Sequence, residues 1–132
     1  MKKLFIAAFM FVSTFTSNVF ADGHAIKMGI ILGFTGPIES LTPAMAASAE
    51  LAFKEASDSG SLLGGSKISV IRADSTCVDP AAATAAAEGV IAQNVAAIMG
   101  ADCSGVTGAI ASNVAIPNGV VTVSYTHLTL PT

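Results

Sequence analysis

Four short apolar runs alternate along this chain with stretches whose apolar residues recur at helical spacing. The first run, Ile26 to Gly33, reads Ile-Lys-Met-Gly-Ile-Ile-Leu-Gly and is almost unbroken. An unbroken run closed by glycine suits a strand buried on both faces, as in a parallel sheet. Gly33 to Pro37 is a turn. Thr42-Pro43 then places an N-cap residue before a proline at the first helical position, which predicts a helix to about Ser57. Its inward stripe is read as Met45, Ala49, Ala52, Phe53 and Ala56, with Glu50, Lys54, Glu55 and Asp58 outside. Asp58-Ser59-Gly60 ends it.

Gly64-Gly65-Ser66 leads into a second strand, Lys67 to Ala73. Asp79-Pro80 repeats the cap-plus-proline signal and opens an alanine-rich helix to about Gln93. Ala96 to Gly100 is a third strand. Ser104 to Val114 is a third helix, weakened by Gly105 and Gly108. Asn118-Gly119 turns into a fourth strand, Gly119 to Val123. The order β-α-β-α-β-α-β with short connections predicts an α/β fold built on a doubly wound, Rossmann-like parallel sheet. Right-handed crossovers put helices on both faces. Ligands on such sheets bind beyond the carboxyl ends of the strands, here residues 33–42, 74–79 and 101–107.

The two ends of the chain differ from this body. Lys2-Lys3, an apolar core from Leu4 to Val12, a more polar stretch and Val19-Phe20-Ala21 have the order of an export signal. Cleavage is expected after Ala21, so residues 1–21 are assigned as a signal peptide and 22–122 as the folded body. No cysteine lies near the cleavage point to accept a lipid. The string Val123 to Thr132 resembles one reading frame of the transposase-end adapter used in shotgun sequencing libraries. Residues 123–132 are therefore expected to be foreign to the natural protein. A genuine terminal strand is the other reading, since alternation and Tyr125 are strand-like.

Composition narrows the function. Of 132 residues 52% are hydrophobic, yet beyond the leader none of the apolar runs reaches the roughly 18 residues that span a membrane. Without Lys2 and Lys3 the body holds four basic and nine acidic residues, so a formal net charge of −3 becomes −5. An acidic surface argues against nucleic acid or anionic lipid as partner. Cys77 and Cys103, an even count in an exported chain, favour a disulfide over a metal site. Their spacing is wide, and His24 and His127 lie in unrelated places. The sequence has no glycine-rich dinucleotide or nucleotide loop, no nucleophile elbow and no triad histidine, so no cofactor and no catalytic residue is expected. Asp74 and Asp102 lie near the strand ends but have no nucleophile beside them for acid–base work.

Four ordered segments carry a resemblance. They are Gly33-Phe34-Thr35-Gly36-Pro37, Asp74-Ser75-Thr76-Cys77-Val78-Asp79-Pro80, Gly100 to Thr107 (Gly-Ala-Asp-Cys-Ser-Gly-Val-Thr), and Ile116-Pro117-Asn118-Gly119-Val120-Val121. Over about Ile26 to Thr122 the chain resembles the periplasmic binding proteins for branched-chain amino acids, the type I or leucine-binding-protein-like fold. The resemblance implies part of the N-terminal lobe of a two-lobe protein that closes over an amino acid. It implies a disulfide from Cys77 to Cys103. It also implies a ligand carboxylate held by hydroxyl and backbone N–H groups, one hydroxyl coming from Ser104, with Leu41 from the first loop walling the side-chain pocket; Gly105 and Thr107 are further ligand candidates, although a threonine at 107 is more often just a helix residue. Ser104 could serve equally as a helix cap, and some relatives carry a bulky aromatic near Leu41. The implied role is the substrate-binding subunit of an ABC-type amino-acid uptake transporter, with an inner-membrane permease as partner. A ligand-sensing domain of the same fold is the alternative, and an exported enzyme a third. A Ser-Pro-x-Ala-Thr turn that completes the family's carboxylate site is absent after the fourth strand.

Overall fold

The structure, a computed structural model, describes residues 25–124. The leader, its cleavage point, His24 and residues 125–132 lie outside the described residues. Strands and helices alternate in the expected order: β1 (Ile26–Leu32), α1 (Thr42–Asp58), β2 (Ile68–Asp74), α2 (Pro80–Ile91), β3 (Ala97–Gly100), α3 (Ser104–Ile110) and β4 (Val121–Val123). A single 3-10 turn, Leu62–Gly64, precedes β2. All pairings are parallel and the sheet order is β2-β1-β3-β4. The fold is α/β with a four-stranded parallel sheet between helical layers.

Side chains of successive strand residues point to opposite faces, and β1 uses this to supply two cores. Ile30 and Leu32 pack with Ala46 of α1 and Met99 of β3. Ile31 faces the other way, into Ala83, Ala87 and Val90 of α2 and Val106 and Ile110 of α3. Both faces of β1 are covered, which is why its sequence does not alternate. Where β3 ends, Gly100 has φ +125°, and a Cβ there would lie 1.9 Å from the Ile31 carbonyl oxygen. Only glycine lets the two central strands run side by side to this point.

Two expectations about α1 need correction. Thr42 is not the N-cap: Leu41 holds that position without a side-chain cap. Thr42 is fully buried, and its hydroxyl donates to the Gly33 carbonyl at 3.1 Å, tying the helix start to the end of β1. The buried stripe runs through Thr42, Ala46 and Ser57, with Met45, Ala49 and Phe53 partly buried beside it, whereas Ala52 is exposed. Ser57 can be buried because its hydroxyl donates to the Phe53 carbonyl and accepts from the Ile68 N–H, each at 2.8 Å. From α1, Glu50 takes both Nε and Nη2 of Arg72 of β2 at 2.6 and 2.7 Å, and the Arg72 guanidinium lies 5.7 Å from the Phe34 ring centre.

Asp79 behaves as read, its carboxylate accepting from the N–H groups of Ala81 and Ala82. The third helix differs: its α-helical part stops at Ile110 and a π turn, Ala111–Ala115, completes it. β4 is shorter than expected. Val121 and Val123 are exposed, and their register with Ala97 and Met99 places them on the α1 face, beyond α1, which packs on β1 and β2.

Because Ile31 is fully buried between the sheet and two helices, Ile31→Ala should lower the unfolding free energy by about 2–5 kcal/mol. Urea unfolding of the full chain checks this; a loss under about 1 kcal/mol would place Ile31 outside the main core.

Candidate functional site

The four parallel strands end on one side of the sheet, and the loops that follow them meet there. The chain leaves β1 toward β2 on one side, while β3 lies on the other. That reversal makes the gap between the carboxyl ends of β1 and β3 the topological switch point. Its rim is formed by residues 33–41 after β1, 75–79 after β2 and 101–103 after β3.

These loops are bonded to one another rather than to solvent alone. Asp102 accepts from the Gly33 N–H at 2.9 Å and, through its other oxygen, lies 3.5 Å from the Ser75 hydroxyl. The Ser75 N–H donates to the Leu32 carbonyl at 2.9 Å. Asp74 accepts from the Thr35 hydroxyl at 2.6 Å, from the Thr35 N–H at 3.3 Å and from the Thr76 N–H at 2.8 Å. Thr76 and Cys77 both hold left-handed backbone, φ 57° and 71°, a conformation that costs residues with a Cβ free energy unless neighbours fix it. Their neighbours do: Asp74 holds one, and a disulfide from Cys77 to Cys103 holds the other, with the two Cα atoms 5.3 Å apart. Gly36 lies so close to this turn that a Cβ would come within 2.5 Å of the Thr76 carbonyl oxygen.

The residues expected to bind ligand are placed unequally on this frame. Ser104 is the first residue of α3 and is exposed, and its hydroxyl has no partner among the described residues. Cys103 before it is extended, φ −119° and ψ 131°, and gives no side-chain cap. The first-turn N–H groups of a helix have no partner within it. Gly105 is exposed, and the space a Cβ would take there is open. Leu41 is 60% exposed at the start of α1, on the first loop. Thr107 is different. It is 3% exposed, and its hydroxyl lies 2.8 Å from the Cys103 carbonyl and 3.1 Å from that of Ala101. Its one proton is used inside the loop, so its visible work is to brace residues 101–103. The Ser124 hydroxyl donates to the same Ala101 carbonyl at 2.6 Å, tying in the end of β4.

Sequence reasoning passed over Asp102, Ser75 and Thr35 as parts of this frame. The available signal was position: Asp74 closes a strand, Asp102 follows one, and each precedes a tight loop. Neither is arranged as a general acid–base pair; each spends its oxygens on neighbouring N–H and hydroxyl groups. Among the described residues no group of three or more His, Cys, Asp or Glu is placed to hold a metal, and no cavity is found.

A profile of the periplasmic binding proteins matches residues 25–132 of the chain. The chain belongs to the periplasmic binding protein family. Solved members of the family agree in fold. The LivJ branched-chain amino-acid transporter substrate-binding protein of Streptococcus pneumoniae, in complex with isoleucine, is 29% identical with a TM-score of 0.67, over 76% of this chain and 28% of LivJ. The LivK leucine-binding protein of Thermotoga maritima is 26% identical, TM-score 0.64, over 76% of this chain and 27% of LivK. An ABC-type branched-chain amino-acid transporter protein of Rhodopseudomonas palustris is 25% identical, TM-score 0.66, over 77% and 27%. The chain thus spans just over a quarter of the length of these relatives. No curated protein matches it. The relatives are substrate-binding proteins rather than enzymes, and the disulfide expected from the family resemblance is present.

The bridge closes a loop with a sequence separation of 26, so reducing it, or replacing both cysteines by serine, should lower the unfolding free energy by about 3 kcal/mol. Unfolding with and without reductant measures this, and equal midpoints would mean that the bridge does not constrain the chain. Burial alone would push the Asp74 carboxyl up, but donation from the Thr35 hydroxyl and from the Thr76, Thr35 and Phe34 N–H groups holds it below the ordinary 3.8. A carboxyl lowered on folding stabilises fully above its ordinary value and loses that contribution as pH falls through its folded value. Asp74→Asn should therefore be less stable than wild type at neutral pH, with the gap closing below 3.8. A gap independent of pH would contradict the assignment.

Proposed function

We propose that this chain is part of the first lobe of an exported amino-acid-binding protein that serves an ABC-type uptake transporter. Residues 1–21 act as the export signal, cleaved after Ala21, and the folded body begins at Asp22. The ligand is a branched-chain or related amino acid, and the partner is an inner-membrane permease. Residues 123–132 are read as adapter sequence, of which Val123 happens to extend β4. One observation carries the site assignment: the exposed hydroxyl of Ser104, without a partner among the described residues, opens α3 above a braced loop at the switch point of a parallel sheet. A hydroxyl and the neighbouring free N–H groups are the donors a carboxylate needs. The open space over Gly105 lets a ligand approach that backbone.

Roles divide by what each group has free. Ser104 donates its hydroxyl, Gly105 offers backbone access, Leu41 supplies apolar wall, and Thr107 braces the loop beneath. The solved relatives LivJ and LivK are substrate-binding proteins, which supports binding rather than turnover. In the two-lobe scheme the ligand favours the closed form because a second lobe adds contacts available only on closure.

The test begins with the gene, read across codon 122 by a method that adds no adapter, and then the full product is titrated with L-isoleucine, L-leucine and L-valine by calorimetry. The expected result is saturable binding of at least one of them, with Ser104→Ala raising Kd about tenfold. If the full product binds none of them, the amino-acid reading falls. Binding that Ser104→Ala leaves unchanged would move the carboxylate site elsewhere.

A further inference from the structure

We infer that Asp102 is a positioning residue for this binding site, a conclusion that rests on the function proposed above. Asp102 stands between the end of β3 and Cys103, two residues before Ser104. Its carboxylate reaches across the switch point to the Gly33 N–H at 2.9 Å and toward the Ser75 hydroxyl at 3.5 Å. Ser75 is fully buried and is itself bonded through its N–H to Leu32. One side chain thus joins the loops after β1, β2 and β3 to a common point. The other ties in the cluster leave that work undone. The disulfide joins only the second loop to the third, and Asp74 joins only the first to the second. Among the described residues, the direct hydrogen bond from the first loop to the third, which leads into Ser104, runs through Asp102. Leu41 and Ser104 lie on those two loops, so their separation, which a ligand must span, is set across this bond.

The charge of Asp102 makes the inference testable by sign. A carboxylate two residues from Ser104 repels a bound carboxylate, so its electrostatic effect alone is unfavourable to the ligand. If that were its only influence, neutralising it would tighten binding. A positioning role predicts the reverse for Asp102→Ala, which removes both acceptors, whereas asparagine can keep its amide oxygen on the Gly33 N–H and donate its NH2 to the Ser75 hydroxyl. A residue that contributed only to folding stability would leave the affinity of the folded protein unchanged.

The experiment is calorimetric titration of the full gene product and its Asp102→Ala variant with L-isoleucine, L-leucine and L-valine, well below the thermal midpoint of each. The expected result is a Kd about tenfold higher in the variant. An equal or lower Kd overturns the inference while leaving the function reading intact. If wild type binds none of the three, the function reading fails and this inference fails with it. Should Asp102→Ala not fold, Ser75→Ala replaces it, since it removes only one donor to Asp102. It should raise Kd by about twofold to fivefold, and an unchanged Kd there overturns the inference.

Discussion

Burial of β1 on both faces is the constraint from which the rest of this structure follows. A strand flanked by two others and covered above and below must be apolar at every position along its buried half, and Ile30, Ile31 and Leu32 are all fully buried. Covering both faces requires helices on both, which in turn requires the chain to leave β1 in one direction and return on its other side. That path produces the sheet order β2-β1-β3-β4. It also creates a crevice at the carboxyl ends of β1 and β3, since connecting segments there depart to opposite faces. The location of the candidate site is thus a consequence of how the core is filled.

The crevice would be a poor site if its loops were free. Small-molecule recognition needs donors held in place before the ligand arrives, because ordering them afterwards subtracts from affinity. Here a disulfide, two aspartates and the hydroxyls of Thr35, Thr42, Ser75 and Thr107 convert the loops into one frame. The buried polar side chains Thr42, Ser75 and Thr107 each bond to a neighbouring loop or helix start, and no buried side-chain polar atom among the described residues lacks a partner. Ser104 differs from these three because its hydroxyl is exposed and has no partner among the described residues. The contrast between committed hydroxyls beneath and a free one above separates the frame from the group that it presents.

Much of this was legible in the sequence, for identifiable reasons. The unbroken run in β1 announced double burial, and Asp79-Pro80 announced a helix start because a carboxylate cap and a fixed φ are local properties. The cysteine pair was legible through compartment, position and family resemblance. Thr42 misled because a threonine before proline has the same local signature as a cap, while its hydroxyl turns inward to a carbonyl nine residues earlier in the chain. The α1 stripe was drawn one residue off at Ala52 because buried Thr42 and Ser57 count as polar in any periodicity. Their burial depends on tertiary partners, Gly33 and Ile68, which periodicity does not see. Asp102 was missed as a brace for the same reason: its partners are 69 and 27 residues away. The π turn at Ala111–Ala115 left no sequence signal.

The central claim is that the braced loops at the β1–β3 switch point hold the carboxylate of an amino acid. A crystal structure of the full gene product with L-isoleucine bound tests it most directly. The account predicts one carboxylate oxygen within hydrogen-bond distance of the Ser104 hydroxyl, with the Asp102 bond to Gly33 intact beneath it. An isoleucine seated away from the carboxyl ends of β1 and β3, with Ser104 still facing solvent, would contradict it.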